Sequence, residues 1–208
     1  MSSDSSSSVP IYDQDIKSMK KYLDSYGVNH SDCIEKSEIV ERVKQTLANP
    51  PPKKTQATIG ANVVKMLGDK LLSKSGKFNT TALQAKVIAL YFSAHWCGPC
   101  RSFTPVLRQL YSDSFKQQGV EVVFVSSDQN EAEFSKYYGE MNWLAIPFDE
   151  RSIKNSLSEQ FDIQGIPSLI VLDAATGAVI SDDGRRDVMT QKSSAATSWL
   201  AKASKPKL

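Results

Sequence analysis

The sequence predicts an α/β fold, a mixed central sheet flanked by helices, with a small all-α helical module at its N-terminal end. Three observations predict it. Val87–Ser93 (VIALYFS) and Val120–Ser126 (VEVVFVS) are nearly unbroken apolar runs, the composition of central strands buried on both faces. Helical patterns alternate with these runs, and a closely spaced strand pair closes the order, so the sheet should contain both parallel and antiparallel neighbours. Upstream of three consecutive prolines at 50–52 the patterning is helical only.

In chain order, residues 1–10 are small, polar and aperiodic and read as a disordered tail. Met1–Ser8 lacks a basic stretch followed by an apolar run, so it does not read as a secretory signal. Residues 11–48 read as a helix–loop–helix. Ile16, Met19, Lys20 and Leu23 share a face that Tyr26 extends, Gly27 takes the C′ position that favours glycine, and a second helix starts near Ser37 with Ile39, Val40, Val43 and Leu47 at helical spacing. Residues 49–57, with Pro50, Pro51 and Pro52, cannot continue a helix and favour a stiff extended linker.

Residues 58–208 form the α/β domain. A helix from about Gly98 to Gln117 follows the first apolar run, and Glu131–Tyr138 and Ile153–Gln160 are further helices. Ser168–Leu172 and Ala178–Ser181 flank the turn at 173–177, and so short a connection implies an antiparallel hairpin. A last helix spans about Met189 to Lys202.

The composition excludes several classes of function. A hydrophobic content of 40 % suits a packed globular core, and no stretch approaches the length of a membrane span. A net charge of +2 gives no sign of a polyanion-binding surface. Three cysteines do not make a secreted disulfide framework. They suit a reducing compartment, cytoplasmic and also nuclear, where a close cysteine pair reads as catalytic or metal-binding.

That pair is Trp96-Cys97-Gly98-Pro99-Cys100, placed where a buried strand gives way to a helix. The spacing puts both sulfurs on one side of the first helical turn, with α-carbons within disulfide range. The helix N-terminus favours a thiolate at Cys97, and Pro99 is tolerated where its missing N–H costs little. Cys100, one turn deeper, is the less exposed. Cys97 is therefore the expected nucleophile and Cys100 the resolving thiol. A zinc knuckle needs more ligands than the one nearby histidine, His95, so no metal is expected. Two inert buried cysteines are the other alternative, and the strand-to-helix position argues against it.

The motif WCGPC resembles the active-site sequence of thioredoxins. The wider pattern looks like nucleoredoxins and tryparedoxins, in Leu67–Leu72 (LGDKLL), Leu90–Cys97 (LYFSAHWC), Arg101–Pro105 (RSFTP), Phe124–Asp128 (FVSSD), Trp143–Phe148 (WLAIPF) and Phe161–Ser168 (FDIQGIPS). The resemblance covers about residues 58–185 and implies the thioredoxin fold. Those families usually carry proline after the first cysteine, where this chain has Gly98. The resemblance also implies a cis-proline at Pro167 facing the cysteines. The exposed backbone of Ile166 could then pair with an extended substrate, and Trp96 would flank the nucleophile. Tyr91 stands where many thioredoxins bury an aspartate. It cannot act as a base near neutral pH, and reads as a core tyrosine with a satisfied hydroxyl. Asp128, at the carboxyl end of a predicted strand, is either a proton acceptor near the cysteines or the N-cap of the helix at Glu131, and the cap is the favoured reading. Trp143 resembles the family's tryptophan near the site and suits core packing equally, while Trp199 reads as core.

Residues 11–47 resemble a SAP-type helix–loop–helix, in the form found at the C-terminus of the mesencephalic astrocyte-derived neurotrophic factor family. The residues are Ile16–Leu23 (IKSMKKYL), Tyr26–Val28 (YGV) and Asp32–Val43 (DCIEKSEIVERV). Many SAP motifs bind DNA, but acids outweigh bases here, so a protein-interaction role is expected and nucleic acid and membrane are not. Cys33 reads as a structural thiol.

The expected function is protein-disulfide reduction without a bound cofactor, the redox group being the Cys97–Cys100 disulfide. Its clients would be disulfide-containing proteins, a peroxidase among them. A reductase or low-molecular-weight thiol would supply electrons. The alternative is a redox-sensitive adaptor or chaperone that binds partners through its N-terminal module. Catalytic turnover of a disulfide separates the two.

Overall fold

The computed structural model describes residues 10–26, 28–33, 35–49 and 59–203. Residues 1–9 of the expected tail, the Gly27 cap and the prolines of the linker lie outside the described residues. The chain divides into two compact units, Met1–Thr55 and Gln56–Leu208.

In the first unit a 3₁₀ turn, Ile11–Asp13, leads to α1 (Ile16–Ser25), and α2 (Lys36–Ala48) follows. Asp15 caps α1 by accepting the Ser18 N–H at 3.0 Å. Glu35 and Glu38 form a reciprocal capping box on α2, so that helix starts one residue before Ser37. Met19, Leu23, Cys33, Ile39 and Val43 make the core. Leu47, expected on that face, is exposed; Thr46 is buried instead, its hydroxyl donating to the Arg42 carbonyl at 2.8 Å.

The second unit opens with α3 (Ala61–Leu67) and a hairpin of β1 (Lys70–Ser73) and β2 (Gly76–Asn79). It continues with β3 (Val87–Ser93), α4 (Gly98–Leu110), a π turn at Tyr111–Phe115, α5 (Lys116–Gln118) and β4 (Val120–Ser126). Then come α6 (Glu131–Gly139), β5 (Leu144–Ala145), α7 (Arg151–Gln160), β6 (Ser168–Asp173), β7 (Val179–Ser181), α8 (Gly184–Gln191) and α9 (Ser194–Lys202).

The seven strands form one mixed sheet in the order β2-β1-β5-β4-β3-β6-β7. β3, β4 and β5 run parallel, and β6 runs antiparallel to β3. Alternation along β3 explains its composition. Val87, Ala89 and Tyr91 face a core with Phe103, Leu107, Phe115 and Trp199, while Ile88, Leu90 and Phe92 face another with Val63, Leu67 and Leu157. Register pairs Ser93 with Ser126 and Phe92 with Ser168. The carboxyl ends of β3 and β4 therefore meet the start of β6 at one edge of the sheet.

Two further expectations change. The C-terminal helix is two helices: Lys192 has φ of +54° between them, which ends α8, and the first begins at Gly184 behind an Asp183 cap. Asp128 is not the cap of α6. Asn130 is, accepting the Glu133 N–H at 2.9 Å, because the strand end carries Asp128 inward and the chain turns two residues later.

Candidate active site

The site is built where β3 hands over to α4. Cys97 is the N-cap of α4, in extended conformation, and its sulfur accepts the Cys100 N–H at 3.2 Å. Cys97 and Cys100 are joined in a disulfide with Cα atoms 5.2 Å apart. Cys97 keeps 6 % exposure and Cys100 none, an ordering that follows from their places on the first turn. Ala94 and Ile166 pack against the pair. Cys97 Sγ lies 3.7 Å from the Ile166 carbonyl oxygen, and the Ile166–Pro167 peptide is cis. Pro167 carries no backbone N–H, so the start of β6 next to Ile166 offers a ring in place of a donor.

Trp96 is 54 % exposed, yet its indole N–H donates to the Ser127 carbonyl at 3.2 Å. One residue on, the Asp128 carboxylate accepts the His95 N–H at 2.7 Å and the Ser126 hydroxyl at 2.8 Å. The segment after β4 thus holds the turn before Cys97 at two successive residues. Arg151, partly buried at the start of α7, donates to the Ser126 carbonyl at 2.9 Å. Burial pulls its guanidinium below the usual range and the Asp128 charge acts against that.

Tyr91 is fully buried on β3. Its hydroxyl meets Thr104 Oγ1 at 2.8 Å and the Cys100 carbonyl at 3.3 Å. Burial pushes the phenol well above its usual range, so it stays protonated and supplies no base. Trp143 is a core residue, ring-edge to Tyr91 and Tyr111, and Trp199 packs on Phe115. His95 lies edge-on to Tyr137 with centroids 6.0 Å apart. Among the described residues no group of three or more His, Cys, Asp or Glu could hold a metal ion.

The structure therefore brings Trp96, Cys97, Cys100, Ile166 and Pro167 together, with Asp128 behind the preceding turn and Tyr91 beneath Cys100. Sequence reasoning missed Ser126, Arg151, Thr104 and Tyr137. Thr104 and Ser126 had a signal, their places in the RSFTP and FVSSD stretches, and Arg151 and Tyr137 had none.

A family model described as thioredoxin-like matches residues 84–179. Tryparedoxin of Trypanosoma brucei brucei is 46 % identical over 129 residues, 62 % of this chain and 90 % of that protein. The solved structure of tryparedoxin from Trypanosoma brucei superposes with a TM-score of 0.62 at 44 % identity, covering 66 % of this chain and 96 % of that one. Nucleoredoxin of Bos taurus is 39 % identical over 137 residues, 65 % of this chain but only 31 % of that longer protein. A solved structure of tryparedoxin II complexed with glutathionylspermidine has a TM-score of 0.62 at 31 % identity, covering 64 % of this chain and 95 % of that one.

Proposed function

Because the chain belongs to the thioredoxin-like family of tryparedoxins and nucleoredoxins, we propose that it reduces protein disulfides with Cys97 as nucleophile and Cys100 as resolving thiol. Its chemistry is thiol–disulfide oxidoreduction, with the Cys97–Cys100 pair in the active-site position. The observation that carries the division of roles is the place of Cys97. It caps the helix, accepts an N–H on its sulfur and keeps the pair's only exposure. Helix-terminal amides stabilise a thiolate there and leave Cys100 as the shielded partner.

The cycle follows. The Cys97 thiolate attacks one sulfur of a client disulfide, forming a mixed disulfide and releasing one client thiolate. Cys100 loses its proton, attacks the Cys97 sulfur and forms the Cys97–Cys100 disulfide, releasing the second client thiolate. Two electrons pass to the client, and two external thiols restore the dithiol. The Ile166 carbonyl would accept an N–H from an extended client segment beside Pro167, with Trp96 as the apolar rim. Asp128 would position the turn. The glutathionylspermidine complex of tryparedoxin II supports a low-molecular-weight thiol as electron donor for this chain. A peroxidase is the client class we favour, in a reducing cytoplasmic or nuclear setting, with the N-terminal helices as a protein-interaction module.

Trapping tests the reading. Cys100→Ser should accumulate mixed disulfides at Cys97 in a cell lysate, Cys97→Ser should trap almost none, and Cys33→Ser should behave as the parent. A peroxidase among the trapped proteins supports the client class. Stronger trapping by Cys97→Ser reverses the roles.

A further inference from the structure

Four hydroxyl groups form a continuous buried chain beneath Cys100. Ser93 Oγ meets Tyr137 Oη at 3.0 Å, Tyr137 Oη meets Thr104 Oγ1 at 2.6 Å, and Thr104 Oγ1 meets Tyr91 Oη at 2.8 Å. Ser93, Tyr137 and Tyr91 are fully buried, and Thr104 is 2 % exposed. The chain ends on the Cys100 carbonyl, 3.1 Å from Thr104 Oγ1 and 3.3 Å from Tyr91 Oη. Each hydroxyl has one proton to donate, so a chain of four needs one acceptor outside itself, and this carbonyl provides it. Thr104 is the hub, its hydroxyl within 3.1 Å of two others and of the carbonyl.

Its place in α4 gives the chain a use. Pro105 lies inside the helix and has no N–H for the Arg101 carbonyl, so the turn that follows the cysteines lacks one ladder bond. The hydroxyls brace the adjacent carbonyl. Cys100 is then held at both backbone groups, its carbonyl by the chain and its N–H on Cys97 Sγ. In the oxidised protein the disulfide also holds this turn. In the dithiol only the non-covalent bonds remain, and there the Cys100 N–H faces a thiolate.

We propose that Thr104 is a positioning residue for the Cys97 thiolate, acting through the carbonyl of Cys100 at the hub of this hydroxyl chain. The inference rests on Cys97 being the nucleophile. Because the brace favours the thiolate, it stabilises the dithiol relative to the disulfide, and its loss makes the pair more reducing.

The test uses the full chain with Thr104→Val, which keeps shape and removes the hydroxyl, and Thr104→Ser, which keeps the hydroxyl. The reduced proteins are alkylated with iodoacetamide from weakly acidic to weakly alkaline pH, and the pair is equilibrated with a glutathione redox buffer. Thr104→Val should move the Cys97 midpoint to higher pH and slow alkylation below that midpoint by about threefold, the factor for half a pKa unit. Above the midpoint, where the reduced pair holds the thiolate, it should shift the glutathione equilibrium towards the disulfide by about the same factor. Thr104→Ser should restore both. Tyr137→Phe cuts one link without losing the ring and should move both readouts the same way by less. With Cys97 alkylated first, a parental midpoint and equilibrium in Thr104→Val overturn this proposal alone, whatever its melting temperature. If Thr104→Val does not fold, parental values in Tyr137→Phe overturn it. Cys100 alkylated first in the parent overturns the division of roles and this proposal together.

Discussion

The Asp128 carboxylate accepts the main-chain N–H of His95 at 2.7 Å, so the residue two beyond the end of β4 anchors the turn that delivers Trp96 and Cys97. A second partner, the Ser126 hydroxyl, fixes the carboxylate itself. Asp128→Ala should therefore lower stability by about 1–3 kcal/mol, the cost of leaving buried donors unpaired, and slow disulfide turnover as well. Asn130→Ala removes the true cap of α6 and should cost about 0.5–2 kcal/mol with turnover unchanged. Thermal melts and turnover of both variants check the contrast. Parental turnover in Asp128→Ala would remove the anchor role.

Gly98→Pro should stabilise the oxidised protein. Gly98 opens α4, an added Cβ there meets nothing within 4 Å, and Cys97 before it is already extended with ψ of 109°. Restricting the unfolded chain at a compatible site yields about 0.4–1 kcal/mol. Denaturant unfolding under non-reducing conditions measures it, and a loss of stability would mean that the turn does not accept the ring.

Glu121 should make stability fall with rising pH. Its carboxyl, donated to by the Tyr111 hydroxyl at 2.7 Å, is pushed above the usual glutamate range by burial. The native state then holds the proton more tightly than the unfolded chain. The associated stability is full below the ordinary glutamate value and is lost as pH rises through the folded value. Glu121→Gln keeps an acceptor for Tyr111 and removes the charge. Its melting temperature should gain on the parent as pH is raised across the range from the ordinary glutamate value towards neutrality. A constant difference across that range would rule out the effect.

Residues 56–208 should retain turnover without the N-terminal helices. Met19, Leu23, Cys33, Ile39 and Val43 form a core of their own in the first unit. Among the described residues, those gathered at the redox site belong to the second unit. A folded truncation lacking activity on a generic disulfide would show that the first unit takes part in the chemistry.

Patterning made the centre of the fold legible and left its margins obscure. β3 and β4 lie buried on both faces, so their apolar runs matched the observed strands end to end. The β1–β2 hairpin was not anticipated. Its strands have four residues each: Lys70 and Ser73 leave β1 only two apolar residues in succession, and the alternation of β2 is too short to mark a strand. β5 has two residues, too few for any pattern. At the site, the two cysteines were readable because their spacing and helix start carry the chemistry. Asp128 was assigned to the wrong partner because a carboxylate near a helix start suits both a cap and a distant backbone N–H. The hydroxyl chain was invisible for a related reason: its members lie on β3, α4 and α6, and only the folded sheet aligns them.

The π turn at Tyr111–Phe115 governs the aim of the active-site turn from the far end of its helix. Phe103, Leu107, Tyr111 and Phe115 are all buried at steps of four residues. In a regular α-helix each such step overshoots a full revolution by about 40°. Three steps would carry Phe115 about 120° off the core. The wide turn, in which the Lys116 N–H bonds to the Tyr111 carbonyl five residues back, absorbs that surplus. Helix phase is thus a fixed quantity in this protein. Removing one residue from 111–115 would tighten the coil and, with Phe115 and β4 anchored, rotate the cysteine-bearing end by about 100°, away from Ile166 and out of alignment with Ser93 and Tyr137.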